Sequence, residues 1–177
     1  VSRDAQATGE MAAAVSGHAG AVLLRGEPGL GKSSLLEYVG ELARAEGGLL
    51  LRASVCESDQ IRPFALWIDA LRGSRPESGE CVFRAGSAEN REALFARLCE
   101  LLGEVAASRP VALLLDDVHW CDESSAAALH YGLRTNRERR VFAVLAARES
   151  EMRDNVALQQ ARRSLRRDGL LRELRLG

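Results

Sequence analysis

Short apolar runs alternate along this chain with longer stretches whose apolar residues fall at helical spacing. Ala21-Val22-Leu23-Leu24-Arg25 is apolar up to its arginine and stops at Gly26, the length and punctuation of a buried strand. From Ser33 to Arg44 the apolar positions are Leu35, Leu36, Val39, Leu42 and Ala43, which share one helical face. Gly47-Gly48 ends that helix, and Leu49 to Ala53 reads as a second strand. Phe64 to Leu71 is a short helix begun after Pro63, and Gly73 to Gly86, rich in Gly, Ser, Pro and charge, is a surface loop. An amphipathic helix is predicted from Ala88 to Ala107, with Leu94, Leu98, Leu101 and Val105 on its core face.

Val111 to Leu115 is wholly apolar and runs into Asp116-Asp117. Asp122 then caps a helix reaching Thr135, with Glu123 placed well for its dipole. Val141 to Ala147 is a strand, Glu151 to Arg167 one helix, and Leu170 to Leu176 a last strand. Mostly apolar strands alternating with helices predict an α/β fold: a three-layer αβα sandwich around a mainly parallel, five-stranded sheet.

Composition narrows the function. At 177 residues the chain is expected to be one domain that builds its core without disulfides or a structural metal. With 24 basic and 25 acidic side chains, nothing points to a surface for nucleic acid or anionic lipid. Cys56, Cys81, Cys99 and Cys121 lack metal-ligand spacing and read as reduced thiols. No apolar run has the length to span a bilayer, and the start lacks a basic region followed by an apolar one, so a cytoplasmic location is expected. The chain opens on Val1 and stops at Gly177 just after a strand, which reads as a segment of a longer polypeptide.

Of the 24 basic residues only Lys32 is lysine, and it stands in Gly26-Glu27-Pro28-Gly29-Leu30-Gly31-Lys32-Ser33. This is the P-loop pattern G-x-x-x-x-G-K-S in its proper context, after a strand and before a helix. The glycines let successive N–H groups turn inward at a helix N-terminus, an anion-binding nest. Gly26 to Ser34 are therefore the expected nucleotide-binding residues, with Lys32 reaching the β- and γ-phosphates and Ser33 ligating Mg²⁺. An arginine, planar and bulkier, does not replace a flexible point charge there.

The acidic pair supplies the second half. Asp116, at the end of an apolar strand, is expected to hold the Mg²⁺ shell, and Asp117 to polarise the attacking water. Guanine-specific P-loop proteins read their base with Asn-Lys-x-Asp, an element this single-lysine chain does not contain, so ATP/ADP are the expected nucleotides.

"AVLLRGEPGLGKSSLL" (Ala21 to Leu36) and "LLLDDVHWCDESS" (Leu113 to Ser125), with "PFALWIDALR" (Pro63 to Arg72), resemble the ATPase domain of STAND-class signalling NTPases. They are most similar to those of LuxR-type large ATP-binding transcription regulators. The resemblance implies an AAA-like core over residues 1–177, acting as a slow ATPase switch of a larger transcriptional regulator. A helical lid, sensor repeats and a DNA-binding unit would follow Gly177, so DNA contact is not expected of this domain itself.

It also implies that the Val141 strand lies between the P-loop strand and the Asp116 strand, and that Arg148 senses the γ-phosphate. The small residue, often Thr, two positions earlier is Ala146. The other reading of Arg148 is a pair with a surface acid. Of the family's opening apolar-Gly-Arg-Glu-x-Glu element, only Val1 and Arg3 carry over, near base and ribose. His119 reads as a hydrogen-bonded structural residue and Trp120 as buried packing at the strand end. Arg134, Arg137, Arg139 and Arg140 form a solvated helix end or, alternatively, an arginine finger in an ATP-dependent assembly. Arg162-Arg163 and Arg166-Arg167 form a surface helix face. Alternative functions are a subunit of an AAA+ remodelling motor, a small-molecule kinase and an ATP-binding module without turnover.

Overall fold

The computed structural model describes Gly9, residues 19–74 and residues 91–177. Val1, Arg3, Cys81, most of the expected 73–86 loop and the start of the helix expected from Ala88 lie outside the described residues. In chain order the elements are β1 (Gly20–Arg25), α1 (Lys32–Ala45), β2 (Leu49–Ser54), α2 (Ala65–Ser74), α3 (Arg91–Ser108), β3 (Val111–Asp116), α4 (Glu123–Thr135), β4 (Val141–Ala147), α5 (Glu149–Met152), α6 (Val156–Arg167) and β5 (Leu171–Arg175). One-turn 3₁₀ segments follow β2 at Glu57–Ile61 and β3 at Val118–Trp120.

The five strands form one all-parallel sheet in the order β2-β3-β4-β1-β5. The Val141 strand thus lies between β1 and β3, as the resemblance implies. Because side chains alternate across a strand, the apolar runs feed two layers. Leu23, Leu113, Leu115 and Leu145 pack with Leu66, Trp67, Leu98, Leu129 and Leu165 in the larger cluster. Val22, Leu24, Leu114 and Val144 pack with Leu35, Leu36 and Val39 of α1 on the other side. Gly47, at φ 72°, closes α1: its N–H bonds the Arg44 carbonyl and that of Gly48 the Ala43 carbonyl, the two bonds of a Schellman ending.

Three expectations are corrected. The buried residues of α3 are Leu94, Leu98, Leu102 and Ala106, spaced by four, with Cys99 beside them, while Leu101 and Val105 are only partly buried. The helix expected from Glu151 to Arg167 is two: α5 ends at Met152 and α6 starts at Val156. Asn155 causes the break. Its Oδ1 caps α6 by accepting the Leu158 N–H (2.9 Å), while its Nδ2 donates to the carbonyls of His119 and Cys121 (2.9 Å each). A buried Asn with partners on both sides outweighs a continuous apolar period. Trp120 is only partly buried, packing against the larger cluster.

Candidate functional site

The P-loop starts where β1 ends. A Cβ on Gly26 would lie 2.8 Å from the Leu176 carbonyl oxygen, so the first motif glycine is required by the chain leaving β5 rather than by a turn. Gly29 (φ 81°) and Gly31 (φ 84°) adopt left-handed torsions that side chains resist, and α1 begins at Lys32 directly after Gly31. Lys32 is 7% exposed, and its Nζ donates to the carbonyls of Gly26 and Glu27, 2.8 Å each. The ammonium is thereby anchored beside the loop's interior.

Parallel register aligns the ends of β1, β4 and β3, because Arg25 pairs with Ala147 and Leu115 with Leu145. Gly26, Arg148 and Asp116 consequently share one sheet edge. Here Ser33 Oγ donates to Asp116 Oδ2 at 2.9 Å, joining residues 83 apart in sequence. A hydroxyl and a carboxylate side by side are hard oxygen donors of the kind Mg²⁺ takes, the remaining positions falling to phosphate and water. Among the described residues no group of three or more His, Cys, Asp or Glu could hold a metal, so a cation here would need such outside oxygens.

Asp117 sits at φ 51°, ψ 35°, a left-handed conformation that aspartate tolerates better than most residues. The turn throws the chain sideways into Val118–Trp120 and leaves the Asp117 carboxylate 3.9 Å from Arg148 Nε. A cavity of about 360 Å³ opens between these parts, lined by Pro28 to Ser34 without Leu30, by Asp116 and Asp117, and by Arg148. It is polar, open to solvent and shaped by backbone on its P-loop side.

Most expected site residues are therefore brought together. Gly26, Glu27 and Leu30 are not among the lining: Leu30 is 40% exposed, and the Glu27 carboxylate accepts from Ser150 N and Oγ (3.3 Å each). Val1 and Arg3 lie outside the described residues. Arg148 pairs with an acid, its Nη1 donating to Glu151 Oε1 at 2.8 Å, and it also borders the cavity. That bond holds the Glu151 carboxyl below the ordinary carboxylate range and raises the Arg148 guanidinium further.

His119 is buried, as expected of a structural residue. Its Nδ1 accepts the Arg148 N–H at 3.3 Å, and its Nε2 faces Glu151 Oε2 at 3.0 Å, off the line of a well-aligned hydrogen bond. Burial lowers its pKa, keeping the ring neutral.

The quoted motifs also touch each other. Asp122 Oδ1 accepts from Ser125 N (2.9 Å), capping α4, and from Phe64 N (3.0 Å), while Trp67 Nε1 donates to the Ser125 carbonyl (3.2 Å). Phe64 is held at φ 60° by these surroundings. The last acid of the Asp-Asp-x-His-Trp-x-Asp stretch thus fastens α2 to the sheet edge. Cys121 and Cys99 are driven by burial to about 12 and about 11, which disfavours the thiolate of each. Glu151 and Ser150 were not singled out by sequence; the three-residue spacing of Arg148 and Glu151 at a helix start was the available signal.

Solved structures share this architecture. A chain in the structure of Drosophila ORC bound to GC-rich DNA and Cdc6 matches with a TM-score of 0.57 and 12% identity, over 97% of this chain and 59% of that one. AMPPCP-bound DnaA from Aquifex aeolicus matches with a TM-score of 0.52 and 16% identity, over 100% of this chain and 48% of that one. A crystallised DNA replication initiation factor gives 0.52 and 16%, over 98% and 46%. This chain therefore spans about half the length of the solved chains it matches. No curated protein matches it. At these identities the solved structures speak for the fold alone, but the sequence profile described as AAA ATPase domain matches residues 2–145. With the P-loop, the acid-tipped β3 and the interposed β4 all present, this chain belongs to the AAA ATPase domain family.

Proposed function

We propose that this domain binds Mg-ATP at the β1–β4–β3 edge, hydrolyses it slowly, and acts as the nucleotide switch of a larger cytoplasmic regulator of the STAND class, of LuxR-type transcription regulators in particular. The observation that carries the reading is the meeting of Ser33 with Asp116 across 83 residues, at the mouth of a left-handed glycine nest beside Lys32. Lys32 and the loop amides bind the β- and γ-phosphates. Ser33 and Asp116 hold Mg²⁺, which when bound neutralises charge on the phosphate oxygens. Asp117 orients water and accepts its proton, and Arg148 meets the γ-phosphate. The AMPPCP carried by the similar DnaA fits this reading, and the missing Asn-Lys-x-Asp element favours adenine over guanine.

DNA contact is assigned to segments outside this domain. Arg162 is committed to a two-pronged pair with Glu173 (2.8 and 2.9 Å), and Arg166 lies 3.5 Å from the same acid, which weakens any basic stripe on α6. Among the described residues no helix is long and apolar enough to cross a membrane.

Calorimetric titration with ATP and ADP, with and without Mg²⁺, tests the reading when followed by a phosphate-release assay. Mg-dependent ATP binding with slow release is expected; no binding of either nucleotide would overturn it. A second reading, a motor subunit, is favoured by the exposed Arg134, Arg137 and Arg139 around the end of α4. Assembly into a ring with a non-hydrolysable ATP analogue, seen by sedimentation, would select it over the switch.

A further inference from the structure

The strongest unassigned feature is the carboxylate of Glu151. It lies on the four-residue α5, just outside the cavity, and is shared between a cavity-lining guanidinium and a buried imidazole. The His119 ring fixes the logic of the contact. Its Nδ1 accepts the backbone N–H of Arg148, so the neutral ring carries its proton on Nε2, which lies 3.0 Å from Glu151 Oε2, close but off the line of a well-aligned hydrogen bond. One Glu151 oxygen therefore faces a donor from below, while the other accepts from the Arg148 guanidinium.

The same two residues grip Arg148 at both ends: His119 takes its backbone N–H, and Glu151 takes its Nη1. The guanidinium is left with its Nε near Asp117 and its body along the phosphate cavity. A long arginine side chain carries about 2 kcal/mol of rotamer entropy, so an outside brace decides how often it points into the cavity. A carboxylate suits this position because it offers an acceptor to each partner at once. A glutamine does not, since an amide oxygen turned to Arg148 would turn its NH₂ against the His119 N–H.

We infer that Glu151, braced by buried His119, is a positioning residue that pre-sets Arg148 for the terminal phosphate and so gives the site its preference for the triphosphate over the diphosphate. The inference rests on the reading of the cavity as a triphosphate site and deepens it. Glu151 does not touch the nucleotide; it acts through Arg148, as an outer support that narrows the orientations of an inner ligand.

The test is calorimetric titration of Mg-ATP and Mg-ADP into wild-type protein, Glu151→Gln, Glu151→Ala, Arg148→Ala and the double variant. The readout is the ratio of the two affinities, because deleting a carboxylate alone strengthens the binding of any anion. Arg148→Ala and Glu151→Ala are each expected to lower the ATP preference about tenfold, the scale of one charged hydrogen bond. Glu151→Gln should lower it less, about threefold, because one acceptor remains. The double variant should lose no more than Arg148→Ala alone, since both changes remove a single interaction. A thermal melt identifies a variant that fails to fold, and the isosteric Glu151→Gln then decides by itself.

An unchanged ratio in the folded Glu151 variants overturns the inference, as do losses that add in the double variant. A wild-type protein that binds both nucleotides equally also overturns it. Wild-type protein binding neither nucleotide removes the nucleotide reading as a whole, a failure distinct from the others.

Discussion

Two segments meet at the cavity, and they are held by different means. The P-loop is made by its own neighbourhood: two left-handed glycines, a helix N-terminus, and Lys32 bonded to carbonyls only six and five residues back. The Arg148 segment is made by distance. Its backbone is held by His119, 29 residues earlier, its guanidinium lies near Asp117, and its short helix is docked on Glu27 through Ser150. Local construction fixes the position of backbone donors regardless of what else moves. Long-range construction makes the position of Arg148 depend on the loop after β3, which suits the nucleotide-sensing role proposed for it.

Perturbations should separate the two segments. Lys32→Ala removes the loop's only side-chain cation and should weaken ATP by about 100-fold or more by calorimetry; retained wild-type affinity would sink the P-loop's role. Asp117→Asn should leave the ATP affinity near wild type while slowing phosphate release about 100-fold, the usual scale for loss of a general base. Unchanged release would remove that acid from the chemistry.

Gly26→Ala tests why the loop begins where it does. The added methyl would meet the Leu176 carbonyl at 2.8 Å, and denaturant titration should show about 1–3 kcal/mol of lost stability. A stability equal to wild type would mean that the chain after β5 yields freely.

On the Arg148 side the expected effects are smaller. Arg148→Ala should cut ATP affinity about tenfold with little change for ADP, and equal losses would show that it does not sense the third phosphate. The weakest effect is one of pH. The folded pKa of His119 is lowered below 6.5 by burial, so acidification charges the unfolded chain first. Stability contributed above that value is lost as pH falls through 6.5 toward the folded pKa. His119→Asn should flatten the denaturant midpoint between about pH 7.5 and 5.5, and an identical slope would remove His119 as its source.

What could be read in advance follows the same division. β1, β3 and β4 were legible because a strand buried on both faces is a plain apolar run, as in Val111 to Leu115. The nest was legible because its glycines, lysine and serine are contiguous. Asp122 as the cap of α4 was legible because capping is a three-residue affair. The split at Asn155 was not, since its partners His119 and Cys121 come from another loop. Leu101 and Val105 fell short of full burial because the facing elements, rather than the helical period alone, choose which row of α3 is covered. Glu151 was hidden for a similar reason: a single acid near an arginine is common, and only the buried imidazole behind it gives it meaning.

By itself the sequence determined the αβα layering, the glycine loop before α1 and the acid at the tip of β3, because each depends on periods and spacings within one element. Tertiary structure alone decided that Ser33 meets Asp116, that Gly26 must clear Leu176, and that His119 and Glu151 hold Arg148 at the cavity. Those contacts join residues far apart in the chain. They exist only because parallel register brings the ends of β1, β4 and β3 to one edge, a property of the assembled sheet and of no single segment.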